Sequence, residues 1–133
     1  MSSPAPSGRS ILIIEDNADA RDALRVLLEL DGHAVEAAGE GQEALELARA
    51  KDPDIALVDI GLPGIDGYEV ARRVRARDAR RPVLIALTGY GQPEDRRRAT
   101  EAGFDEMLVK PVDPTALTEL LATLEIPGRE SRG

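Results

Sequence analysis

The sequence predicts an α/β domain in which five parallel strands are covered by helices on both faces. Three observations carry that expectation. Short aliphatic or β-branched runs alternate five times with segments of helical period, the pattern of right-handed strand–helix–strand crossovers. Aromatic residues make up only 2% of the chain and Trp is absent, so the core must come from Leu, Ile, Val and Ala, which suits buried parallel strands. The 133 residues, 42% of them hydrophobic, suffice for one domain with a real core but not for two.

The elements follow in order. SILIIE (10–15) reads as a buried strand, and a helix over about 18–31 places Ala20, Leu24, Leu27 and Leu28 on one face before Gly32 stops it. HAVEAA (33–38) is a second, weaker strand. A helix over about 41–51 turns Ala44, Leu45 and Ala48 inward, and Pro53 marks the turn into the third strand, DIALVD (54–59). After a Gly- and Pro-rich loop a helix over about 67–77 presents Val70, Ala71 and Val74, with Asp66 as a turn and cap residue ahead of Gly67. VLIAL (83–87) is the fourth strand, and a helix over about 93–102 opens at Pro93 and closes at Gly103. EMLV (106–109) is the fifth strand, and the last helix starts near Pro114, with Leu117, Leu120, Leu121 and Leu124 at helical spacing. The domain is expected over residues 10–124, with flexible tails at 1–9 and 125–133.

Composition removes whole classes of function. A net charge of −8 argues against direct nucleic-acid binding and against an anionic membrane surface, since both need clustered Lys and Arg. The one basic run, Arg96–Arg97–Arg98, follows Glu94 and Asp95 and reads as a solvated helix face. Zero cysteines exclude disulfides, thiolate metal sites and Cys nucleophiles. The N-terminus lacks the apolar stretch of a signal peptide, and no run approaches a membrane span, so the cytoplasm is the expected location. His33, the only histidine, stands at the start of the second strand and is expected to be structural.

Ligands of wound parallel sheets bind at the carboxyl ends of the strands. There the first strand delivers Glu15 and Asp16, the third Asp59, the fourth Thr88 and the fifth Lys110. Asp16 or Asn17 could cap the following helix, but a further acid at the end of the third strand favours a carboxylate cluster. Three crowded carboxylates repel one another unless a cation intervenes, and an all-oxygen donor set suits Mg²⁺ rather than zinc. Asp16, Asp59 and the backbone carbonyl of Gly61 are the expected ligands, with Glu15 reaching through a metal-bound water. Beside Mg²⁺, Asp59 can attack a phosphorylated donor while Lys110 neutralises the phosphoryl oxygens and Thr88 offers its hydroxyl, giving an aspartyl phosphate.

With IIEDN, LVDIGLPGIDG, ALTG and LVKPVD in this order on these strands, the chain resembles the receiver domain of two-component response regulators over roughly residues 10–124. The resemblance implies a flavodoxin-like fold with strand order 2-1-3-4-5, a phosphohistidine donor on a histidine kinase or histidine phosphotransfer domain, an unnamed downstream protein partner, slow self-dephosphorylation and a cis Lys110–Pro111 peptide. It implies a signalling domain rather than an enzyme. Two positions depart from the family pattern: Met107 stands where many receivers carry a switching aromatic, and Gly61 has no side chain with which to tune water access, a role that passes to Tyr90. The helix over 93–102 has no large aliphatic residue, so weak docking is expected to make it the element that responds to phosphorylation. ALTGYGQPEDRRRATEAGFD looks most like receivers attached to hybrid sensor kinases. The rival readings are a receiver-like interaction module that is never phosphorylated and a haloacid-dehalogenase-like phosphatase, which would want an acid where Gly61 stands.

Overall fold

The computed structural model describes residues 8–89 and 91–127. Its elements run β1 (Ser10–Ile14), α1 (Ala18–Leu30), β2 (Ala34–Ala38), α2 (Gly41–Lys51), β3 (Ile55–Asp59), α3 (Gly67–Arg77), β4 (Val83–Thr88), α4 (Pro93–Ala102), β5 (Glu106–Val109) and α5 (Pro114–Thr123). The strands form one parallel sheet in the order β2-β1-β3-β4-β5, the doubly wound arrangement expected.

The three central strands are buried nearly throughout, whereas the edge strands β2 and β5 keep exposed positions. Along the central strands alternate side chains enter opposite clusters, as the pleat demands. Leu12, Ile14, Ala56, Val58, Leu84 and Ala86 pack under α2, α3 and α4, together with Ala44, Val70, Val74 and Ala99. Ile11, Ile13, Ile55, Leu57, Ile85 and Leu87 pack under α1 and α5 against Leu28, Leu117 and Leu121. The helix ends follow local chemistry. Asn17 caps α1 by accepting from Ala20 N–H at 2.9 Å, Asp66 caps α3 by accepting from Glu69 N–H at 2.9 Å, and Gly103 closes α4 at φ 111°.

Ordered contacts reach beyond residues 10–124 at both ends. Arg9 C=O accepts from Ala34 N–H at 3.0 Å and Arg9 N–H donates to His33 Nδ1 at 3.2 Å, so the β1–β2 ladder extends to residue 9. At the other end Ile126, assigned to the C-terminal tail, is 5% exposed and packs with the α1–α5 cluster. A single apolar residue in a polar segment carries no period to reveal this. Residues 1–7 and 128–133 lie outside the described residues. Lys110–Pro111 is cis as the resemblance implies, and Arg81–Pro82 is cis as well.

Candidate functional site

The register sets the site. Ile14 pairs with Val58, Asp59 with Leu87 and Thr88 with Val109, so the residues ending these strands emerge at one rim. Carboxylate oxygens of Glu15, Asp16 and Asp59 lie within 4.8 Å of one another. Lys110 Nζ reaches into this group from the end of β5, 3.0 Å from Glu15 Oε1 and 3.2 Å from Asp59 Oδ2. Of the five residues expected at this rim, Glu15, Asp16, Asp59 and Lys110 come together in one group.

Their environments differ. The Glu15 side chain is 3% exposed and both of its oxygens are engaged, Oε1 by Lys110 and Oε2 by the Asn17 N–H at 3.1 Å. Asp59 is also buried, and its Oδ1 accepts from Gly61 N–H at 3.0 Å. Asp16 is exposed. Capping of α1 falls to Asn17, which leaves Asp16 to the acid cluster. Burial pulls the Lys110 ammonium towards its neutral form, but hydrogen bonds to Glu15 and Asp59, with their charges, outweigh this and hold its pKa above the usual lysine value. Lys110 is therefore a fixed cation at neutral pH.

Thr88 is buried at the end of β4, and its carbonyl accepts from Lys110 N–H at 2.7 Å, tying the two strand ends together. Met107 is not part of the acid group. It sits half-buried on β5 against the cluster under α4, lining a small cavity of about 110 Å³ with Ala99, Thr100 and Phe104. Tyr90 lies outside the described residues.

Two features of the site escaped the sequence reading. Gly67 is needed for space: a Cβ there would stand 2.7 Å from the Asp59 carbonyl oxygen and from Ile60 Cα, so α3 can start directly beside the end of β3 only with glycine at this position. Arg21 donates from Nη1 to the Glu15 carbonyl at 2.9 Å. A basic residue on the first turns of a helix is common, and nothing in the string marks this one.

The oxygen-only donor set fits Mg²⁺. Three carboxylates face one ammonium, the chain has no cysteine, and its only histidine contacts Arg9 at the start of β1. The model of the response regulator receiver domain matches residues 11–122. The chain belongs to the response regulator receiver domain family.

This receiver is 40% identical over 123 residues to the transcriptional regulatory protein AfsQ1 of Streptomyces coelicolor, covering 92% of the chain and 54% of AfsQ1. It thus spans about half of that relative's length. Among solved structures, the receiver domain of sensor histidine kinase PA1611 from Pseudomonas aeruginosa, with magnesium in its active-site cleft, is similar at TM-score 0.78 and 33% identity, covering 86% of this chain and 94% of that one. A chain from the co-crystal structure of the Saccharomyces cerevisiae histidine phosphotransfer protein Ypd1 and the receiver domain of Ssk1 matches at TM-score 0.83 and 26% identity, covering 90% of this chain and 89% of that one. As a receiver the chain is a signalling domain of two-component systems. Family membership sets aside the haloacid-dehalogenase-like phosphatase.

Proposed function

We propose that this receiver takes a phosphoryl group from a phosphohistidine onto Asp59, with Mg²⁺, and changes conformation to control a protein partner. The observation that carries the reading is the Lys110 ammonium bridging Glu15 and Asp59 inside a carboxylate group whose oxygens lie within 4.8 Å. Asp16, Asp59 and the Gly61 carbonyl would hold the ion, with Glu15 contributing through a water. Bound there, Mg²⁺ would offset carboxylate repulsion and neutralise charge on the phosphoryl oxygens.

The chain's own groups supply the rest. An Asp59 carboxylate oxygen forms the new bond to phosphorus while the P–N bond of the phosphohistidine breaks and the leaving imidazole keeps the electron pair. Lys110, kept charged by its two acids, offsets negative charge on the phosphoryl oxygens. Thr88 donates its hydroxyl to one of them. Glu15 holds the lysine in place from its buried position. Hydrolysis by water then resets the domain slowly, and Tyr90, two residues after Thr88, is the residue the family resemblance assigns to water access, so Tyr90→Ala is expected to speed dephosphorylation measured by loss of the phosphorylated mass.

The donor is a histidine kinase or a histidine phosphotransfer domain, a reading supported by the likeness to a chain crystallised with Ypd1. A cleft of about 600 Å³ opens beside Glu15 and Lys110, lined by Ala20, Leu24 and Leu27 of α1 and by Pro111 and Val112, and gives an approaching helix an apolar seat. On the output side the partner is a protein, because the net charge of −8 disfavours nucleic acid. The similar chains include both a transcriptional regulator and a sensor-kinase receiver, so the hybrid-kinase likeness is not singled out. Among the described residues no helix is long and apolar enough to cross a membrane.

Incubation with acetyl phosphate and Mg²⁺ tests the proposal. The intact mass should rise by one phosphate in the native chain and stay unchanged in Asp59→Asn or with Mg²⁺ chelated. No gain in the native chain would leave the unphosphorylated interaction module as the better reading.

A further inference from the structure

We infer that Arg21 is a positioning residue of the metal and acceptor site, holding the peptide that joins Glu15 to Asp16; this rests on the Mg²⁺ reading above. The two acids lie in the bend between β1 and α1, beyond the last strand residue. Most polar groups of this bend are anchored. Glu15 N–H donates to Ala38 C=O at 3.0 Å, and Asn17 N–H donates to Glu15 Oε2 at 3.1 Å. The Glu15 carbonyl, which belongs to the peptide linking the two acids, receives Arg21 Nη1 at 2.9 Å.

That carbonyl governs Asp16. Rotation of the 15–16 peptide swings the Cα–Cβ bond of Asp16 relative to the sheet. Among the described residues no hydrogen bond holds the exposed Asp16 carboxylate itself, so its place is set through the backbone. A charge-assisted donor on the carbonyl is stronger than a neutral one and resists such rotation. Arg21 is in turn held by its own helix, its N–H donating to Asn17 C=O at 2.9 Å.

Gly39 supplies an independent handle on the same contact. It follows β2, and its φ is not in the left-handed region, so the backbone does not require glycine there. Space does: a Cβ on residue 39 would stand 2.9 Å from Arg21 Nη1, closer than such atoms pack. The guanidinium crosses over this glycine to reach the Glu15 carbonyl. Adding one methyl group to Gly39 therefore displaces Arg21 from the peptide without removing its charge.

The experiment is Mg²⁺ titration by calorimetry and by amide chemical shifts on the native chain, Arg21→Met, Arg21→Lys, Gly39→Ala and the Arg21→Met/Gly39→Ala pair, with Asp16→Asn as the reference for a lost ligand. Arg21→Met should weaken Mg²⁺ binding roughly tenfold, the scale seen when groups that orient metal ligands are removed. Gly39→Ala should weaken it in the same direction, the double variant should be no weaker than Arg21→Met alone, and Arg21→Lys should recover part of the loss. In acetyl phosphate uptake the Mg²⁺ concentration for half-maximal rate should rise, while the rate at saturating Mg²⁺ holds. Native affinity in Arg21→Met, or additive losses in the pair, would overturn the inference while leaving the metal site standing. Absence of Mg²⁺ binding in the native chain, or unchanged binding in Asp16→Asn, would overturn both.

Discussion

A lysine and a histidine, each beside carboxylates, show how local surroundings decide a residue's role. Lys110 sits between two buried acids and keeps its charge well beyond neutral pH, which the phosphoryl-facing role proposed for it requires. His33, at the start of the strands, is pushed the other way. Burial lowers its pKa, nearby Asp31 raises it, and Arg9 lowers it again, for a net depression below the ordinary value. Its Nδ1 accepts the Arg9 N–H, which only an unprotonated nitrogen can do. The unfolded chain thus takes up this proton more readily than the folded one, and His33 costs stability as pH falls below its unfolded value of about 6.5. Urea midpoints of His33→Gln should show a flatter slope than the native chain between about pH 6.5 and 5, above the range where most carboxylates titrate. Parallel slopes would show that the histidine is not responsible.

Helices under the same sheet are held to different degrees, and α4 is held least by apolar burial. It buries only Ala99 and Ala102, whereas α5 buries Leu117 and Leu121 in the opposite cluster. Arginines stand in for the missing aliphatics. Arg98 lies 4.1 Å from the centre of the Tyr68 ring on α3, and Arg75 of α3 donates from Nε to Gly103 C=O at 3.0 Å and pairs with Asp105 at 2.7 Å. Such contacts with partly solvated groups contribute less than buried methylenes and tolerate rearrangement. Amides of α4 should accordingly exchange faster than those of α5, and phosphorylation or its mimic should change α4 exchange most. Equal protection in the two helices would count against α4 as the responding element. Met107, standing beside α4 where the family often has an aromatic, makes this helix the place where coupling in this receiver is best sought.

For the molecule as a whole, stability comes from two largely aliphatic clusters on opposite faces of the sheet. Leu57 is fully buried in the cluster under α1 and α5, between neighbours on both β1 and β4. Leu57→Ala should destabilise the fold by about 3 kcal/mol, a loss readable in urea unfolding, because rigid strands on either side collapse poorly into the space. A cost below about 1 kcal/mol would mean that the sheet relaxes around the gap. Among the described residues Glu15, Asp54 and Asp59 are the buried acids and the other acidic side chains are more open to solvent, so the net charge of −8 bears on the choice of partners rather than on the fold.

How much of this was legible depends on the range of the interaction. The boundaries of α2, α3, α4 and β5 follow from local signals, Pro93 and Gly103 among them, and the structure places them as those signals indicate. The acids and the lysine of the rim were legible because each ends an apolar run. The chain by itself determined the order of its elements, the aliphatic character of its core and the residue types arriving at one edge, since these depend on periodicity and on groups near in sequence. Only the tertiary structure decided that Asn17 rather than Asp16 caps α1, that Gly67 must lack a side chain beside Asp59, that Arg21 reaches the Glu15 carbonyl across Gly39, and that Ile126 belongs to the core. The physical reason is the same each time: these outcomes turn on distances of about 3 Å between groups that only the folded chain brings together.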